Sequence, residues 1–177
     1  GIYRSTDNLA TWTKVTNGSV SEIEFHPTNA NYIYIYDYNS NRNVVLRSTN
    51  QGQTFTASNT VPNNNNNTSV RLSVSKACPN CVYFASSNGV WKSTDYGMNF
   101  TFIAKPNPSN GAFTVNDIDD SKMIIGDIDL WVSTNGGQTY TQKTWWSLGS
   151  TPFNGPSYIH ADLRNARCVN GVFYVAT

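Results

Sequence analysis

Charge is scarce in this chain. Of its 177 residues, 13% are Asp, Glu, Lys or Arg, and the formal net charge is +1. Lys and Arg gather into no stripe, which excludes the electrostatic footprint of a nucleic-acid-binding surface. No apolar run approaches the roughly 20 residues that a membrane-spanning helix needs. No stretch carries a helical period, so helices are not expected. Cysteine is also rare: Cys78 and Cys81 form a lone C-x-x-C, and Cys168 stands apart. A zinc site would add a second Cys pair or histidines at fitting spacing, and thioredoxin-like redox work would need a βαβ setting. Neither is evident. The expectation is a local Cys78–Cys81 turn disulfide or two inert thiols, with no metal and no cofactor.

Asn, Thr, Ser and Tyr dominate instead. That polar but weakly charged composition suits extracellular β-proteins. One motif recurs four times: Ser5-Thr6-Asp7, Ser48-Thr49-Asn50, Ser93-Thr94-Asp95 and Ser133-Thr134-Asn135. Three copies carry a Gly two residues after the Asp or Asn, and an aromatic follows each Ser by seven: Trp12, Phe55, Phe100 and Tyr140. The serines fall 43, 45 and 40 residues apart, a period that suits one four-stranded propeller blade.

These residues resemble the Asp-box, or BNR repeat, with consensus near S-x-D-x-G-x-x-W. The resemblance implies an all-β propeller of four-stranded antiparallel blades with Asp-box turns, akin to sortilin-like and xyloglucanase-like propellers of secreted bacterial proteins. It does not by itself imply an enzyme. In such families the box is structural and sits at the blade periphery. Turn chemistry supports that role: Ser and Asp/Asn bond backbone amides, Gly supplies positive φ, and the aromatic packs back over the turn. Asn in two copies suits a turn and suits a catalytic acid poorly.

Within each repeat, short β-rich runs alternate with turns, as in Val20–Phe25, the turn at 26–31, Tyr32–Tyr36, and Asn43–Arg47 entering the motif. The repeats run roughly over 1–19, 20–60, 68–104, 112–144 and 157–177, in a single domain spanning 1–177. The chain then reads as about four blades, with the two ends sharing one, or as a fragment of a larger propeller; the fragment reading is favoured. The Asn63–Asn67 run is too polar to pack and reads as a loop.

Candidate ligand or catalytic residues are few. Glycoside hydrolysis needs two carboxylates roughly 5–9.5 Å apart. Asp127 and Asp129, two apart, would share one face of a strand. The stretch Tyr158-Ile159-His160-Ala161-Asp162 resembles a Y-[VI]-H-A-D segment found at the first strand of a blade in secreted Asp-box proteins. His160 and Asp162 would again share a face and suit general-base or ligand work. Trp145 and Trp146 are candidates for stacking on sugars or holding a protein partner. Tyr32, Tyr34, Tyr36 and Tyr38 alternate along one face and read mainly as packing between blades. A sialidase would show an Arg-Ile-Pro motif, which is missing. The expected function is a secreted or cell-surface module that binds glycan or protein or acts as scaffold, on its own or as part of a longer chain. The alternative is a glycoside hydrolase resembling the xyloglucan-active propellers, and the balance leans away from an enzyme.

Overall fold

The structure is a computed structural model that describes residues 1–39, 42–60, 69–107, 111–146 and 158–177. The Asn63–Asn67 loop lies outside the described residues. Strands β1 (Tyr3–Arg4) and β2 (Thr13–Lys14) form a small hairpin. Then β3 (Val20–Phe25), β4 (Ile33–Asn39), β5 (Arg42–Ser48) and β6 (Thr56–Ala57) make a four-stranded antiparallel meander. A second comprises β7 (Arg71–Ser75), β8 (Cys78–Ser86), β9 (Gly89–Ser93) and β10 (Thr101–Ala104). A third comprises β11 (Ala112–Val115), β12 (Met123–Gly126), β13 (Leu130–Ser133) and β14 (Thr141–Gln142). The chain closes on a hairpin of β15 (Asn165–Val169) and β16 (Val172–Ala176). No helix among the described residues is long and apolar enough to cross a membrane, which leaves β-barrel spans unaddressed.

The meanders repeat in register. Phe25 pairs with Ile33 and Ile33 with Ser48. Val74, Val82 and Ser93 line up in the same way, as do Val115, Met123 and Ser133. The motif serine thus faces the first residue of the second strand in two meanders, Ile33 and Met123, and Val82 within β8 in the other.

First strands lie side by side: β7 neighbours both β3 and β11, and β11 neighbours β15. Stacked this way, the middle sheet is buried on both faces. In β8, Val82 and Phe84 pack with Tyr34, Tyr36, Val45 and Leu72 of neighbouring strands, while Cys81, Tyr83 and Ala85 pack with Phe113, Val115, Met123 and Ile125. Period-two alternation between two apolar faces explains why β8 reads as one continuous apolar run. Burying a ring such as Phe84 contributes about 2–3 kcal/mol. Tyr34 and Tyr36 are fully buried, so the tyrosine ladder is core.

A bulge between Val74 and Ser75 brings Ser75 opposite Cys78, where β8 begins. Two expected placements differ. Asp127–Asp129 do not share a strand; they form the bend between β12 and β13, where Gly126 pairs with Leu130. Tyr158–Asp162 is not a first strand either. It is irregular chain leading to β15, and Asp162 takes φ 73°, a left-handed backbone that no strand accommodates.

Candidate functional site

The four Ser-Thr-Asp/Asn turns share one hydrogen-bond scheme. Ser48 Oγ accepts the amides of Asn50 (3.2 Å) and Gly52 (2.8 Å) and donates to Asn50 Oδ1 (2.9 Å). Asn50 Oδ1 in turn accepts the amide of Thr54. Ser93, Asp95, Gly97 and Asn99 repeat this, as do Ser133, Asn135, Gly137 and Thr139. At the first turn Ser5 accepts from Leu9 and donates to Asp7, which accepts from Thr11. The Thr11 hydroxyl, then its amide, then Ser5 hold Asp7 at a pKa of about 2. At Asp95 desolvation works the other way, yet bonds from Asn99, Ser93 and Met98 still bring it to about 2. The side-chain oxygens in these turns are committed to backbone and neighbouring side chains.

The aromatics diverge. Phe100 is buried against Phe84, Phe55 joins the cluster around Ile35, and the Tyr140 hydroxyl donates to Met123 Sδ. Trp12 does not pack as expected and is 57% exposed. The other three aromatics rest on the second strand of their sheet, whereas the β1–β2 sheet has two strands among the described residues.

A cation preceding two of these turns reaches the next one along. Arg4 Nε donates to Gln51 O at 2.9 Å, and Arg47 Nη1 donates to Asp95 O and Tyr96 O at 3.5 and 3.4 Å. Lys92, at the equivalent place, instead bonds Asp120 Oδ2.

Chemistry gathers elsewhere, in a polar cleft of about 210 Å³ lined by Ser69, Arg71, Gly111, Asp127, Asp162, Leu163 and Arg164. Its parts come from separate elements. Arg71 opens β7, Asp127 sits in the β12–β13 bend, and Asp162 and Arg164 lie in the chain leading to β15. Leu163 anchors that chain: it is buried with Ala112, Ile124 and Ala166, and its amide donates to Asp127 O at 2.7 Å. Gly111 allows the close approach, since a Cβ there would stand 2.2 Å from Leu163 O and 2.8 Å from Asp127 Oδ1.

Arg71 is held firmly. Its Nη1 donates to Val70 O at 2.9 Å, its Nη2 donates to Arg164 O at 3.2 Å, and Glu22 Oε2 lies 3.6 Å away. Behind it sit two carboxyls of β3. Burial pushes Glu22 up to about 7 despite the Arg71 guanidinium, and raises Glu24 despite Arg167. At Glu22 the ion pair and the raised pKa pull in opposite directions. Burial dominates, because the 3.6 Å contact is long for a charge-assisted bond.

Of the sequence candidates, Asp127 and Asp162 line this cleft. Asp129 does not: its Oδ2 accepts from Gln142 Nε2 and its Oδ1 from the Trp146 amide, so it ties β14 to the bend. His160 is exposed, with Nδ1 2.9 Å from the Ala161 carbonyl. Trp146 is 49% exposed and Trp145 half-buried. Cys78 and Cys81 are disulfide-bonded, and Cys168 is free. Sequence reading missed Glu22, Ser69 and Gly111 and gave Arg71 and Arg164 no role. One signal was there: Glu22 and Glu24 alternate with Ile23 and Phe25, which sets two acids on one face of a strand.

No protein-family profile matches the chain, and no curated protein matches it by sequence. Solved structures do. A GH74 enzyme of Niastella koreensis superposes with a TM-score of 0.62 at 20% identity, over 93% of this chain and 22% of that one. The YCF48 protein bound to a D1 peptide gives 0.61 at 12% identity, over 90% of this chain and 48% of that one. A GH74 xyloglucanase of Xanthomonas campestris gives 0.57 at 19% identity, over 80% and 27%. At these identities the likeness shows the fold: nearly all-β, of four-stranded antiparallel sheets, consistent with a fragment of a β-propeller. The chain spans less than half the length of each of these structures.

Proposed function

We propose that the chain is a secreted or cell-surface propeller segment that binds a polar ligand, a glycan or an extended protein segment, in the cleft between Arg71, Asp127, Asp162 and Arg164. The observation that carries this reading is that two acidic and two basic residues, Asp127, Asp162, Arg71 and Arg164, line one open cleft. Such a lining offers both acceptors and donors to hydroxyl groups or peptide bonds. The sparse charge and the Cys78–Cys81 disulfide suit an oxidising, extracellular setting. The four repeated turns serve as blade scaffold, as the Asp-box resemblance implies.

A second reading draws on the two acids in that cleft and on the GH74 neighbours: a glycoside hydrolase, with Asp127 and Asp162 as the pair. Against it, the carboxyl burial has raised to about 7 is Glu22, which stands beside Arg71 rather than in the cleft lining. Titration calorimetry with xyloglucan oligosaccharides and with extended peptides, beside a reducing-end assay, separates the readings. Saturable binding without turnover, weakened about ten-fold or more by Arg164→Ala, supports the binding module. Turnover abolished by Asp127→Asn establishes the hydrolase. Neither binding nor turnover leaves the scaffold role alone.

A further inference from the structure

A second cluster lies outside the cleft, at the contact between the second and third sheets. Cys78 Sγ, Cys81 Sγ and a carboxylate oxygen of Asp120 all lie within 4.8 Å of one another. The two cysteines belong to β8, and Asp120 to the turn between β11 and β12. Asp120 is oriented from the same sheet as the cysteines. The Tyr83 hydroxyl donates to its Oδ2 at 2.7 Å and Lys92 Nζ at 2.9 Å. Tyr83 and Lys92 are themselves cross-strand partners in β8 and β9. Those two contacts aim the carboxylate, both on one oxygen.

We propose that opening the Cys78–Cys81 disulfide creates a binding site for a thiophilic divalent cation of the zinc class, with Cys78 Sγ, Cys81 Sγ and Asp120 Oδ1 as its protein ligands. The opening is a thiol–disulfide exchange with a dithiol reductant. One reductant thiolate attacks a protein sulfur, breaks the S–S bond and forms a mixed disulfide; its second thiolate resolves this and leaves as the cyclic disulfide. Two electrons and two protons pass to the cysteines. The cation then displaces the two thiol protons, since thiolates are the ligating form.

The geometry suits this cation. Two Zn–S bonds of about 2.3 Å at a tetrahedral angle set the sulfurs roughly 3.8 Å apart, and a Zn–O bond of about 2.0–2.2 Å brings the carboxylate comparably near. The carboxylate oxygen already lies within 4.8 Å of both sulfurs, and opening the disulfide frees the sulfurs to part to the zinc spacing. Tyr83 and Lys92 act on Oδ2, which fixes the carboxylate as outer partners fix metal ligands. Three protein ligands leave the fourth position to water. In the disulfide form no thiolate exists, so the redox state of the pair gates the site.

The full chain is tested oxidised, and again after treatment with a phosphine that is then removed under argon. Zinc retained through gel filtration is counted, and cobalt is titrated while its thiolate-to-metal charge-transfer band is followed. The proposal expects about one zinc per reduced chain, none per oxidised chain, and loss of both signals in Cys78→Ser. Asp120→Asn keeps the band but binds roughly ten-fold or more weakly. No zinc and no band after reduction would overturn it. So would equal affinity in Asp120→Asn, or zinc held by the oxidised chain. The cleft reading stands or falls separately.

Discussion

Arg167 Nη1 lies 2.7 Å from Glu24 Oε1, joining residues 143 positions apart. Arg167 belongs to β15 and Glu24 to β3, so the first strand of the last hairpin reaches the first strand of the first meander. With Arg71 beside Glu22, two arginines from different sheets stand against two acids on one strand face. Removing charges from water is costly, and guanidinium partners offset that cost only in part.

Glu22 makes that cost measurable. Burial raises its pKa from 4.5 to about 7. A raised carboxyl holds its proton in the folded state after the unfolded chain has released it. Its contribution to stability is therefore complete below about 4.5 and is lost as pH climbs through 7. The loss is on the order of 2–3 kcal/mol. Thermal melts at pH 5 and pH 8 should show the wild type falling relative to Glu22→Gln as pH rises. Parallel melting curves at both pH values contradict this.

Ser93 is fully buried, and its Oγ accepts two backbone amides. Ser93→Ala strands the buried Gly97 amide and the part-buried Asp95 amide and should cost about 2 kcal/mol, whereas Ser5→Ala, at an exposed turn, should cost about 1 kcal/mol or less. Chemical denaturation of the two variants checks the order.

Gly97 and Gly136 both take positive φ, 79° and 71°. A Cβ on Gly97 would lie 3.2 Å from the Tyr34 ring, while one on Gly136 meets nothing within 4 Å. Gln51 and Tyr96 hold the position equivalent to Gly136 at φ 59°, so a side chain is accommodated there. Gly136→Ala should cost about 1 kcal/mol, and Gly97→Ala roughly twice that. At about 2–4 °C per kcal/mol, the melting temperatures should separate cleanly.

Arg47 donates to two carbonyls of the neighbouring sheet's turn and lies 6.0 Å from the Tyr32 ring centroid. Arg47→Ala should destabilise by about 1–2 kcal/mol, and Arg47→Lys should recover only part, because an ammonium lacks the planar fork. Full recovery by lysine would show that charge alone matters.

The turns and the alternating core were legible in the sequence because their information is local. Ser48, Asn50 and Gly52 sit in one loop, and Tyr34 and Tyr36 announce a face by spacing alone. The cleft was not. Asp127 and Asp162 were visible as acids, but Arg71 and Arg164 join them only once three elements stack. Asp129 is equivalent to Asp127 only under strand periodicity, and the segment is a bend. Asp162 likewise departs from strand geometry through its left-handed backbone, which Ala161-Asp162-Leu163 does not advertise. Trp12 matched its repeat in spacing, yet packing depends on a neighbouring strand.

The most direct test is an amide-resonance titration of the isotope-labelled chain with xyloglucan oligosaccharides and with an extended peptide. The cleft account predicts saturable shifts for one ligand class at Gly111, Asp127, Asp162, Leu163 and Arg164, absent in Arg164→Ala. Shifts confined to the four serine turns, or none with either ligand, would contradict it.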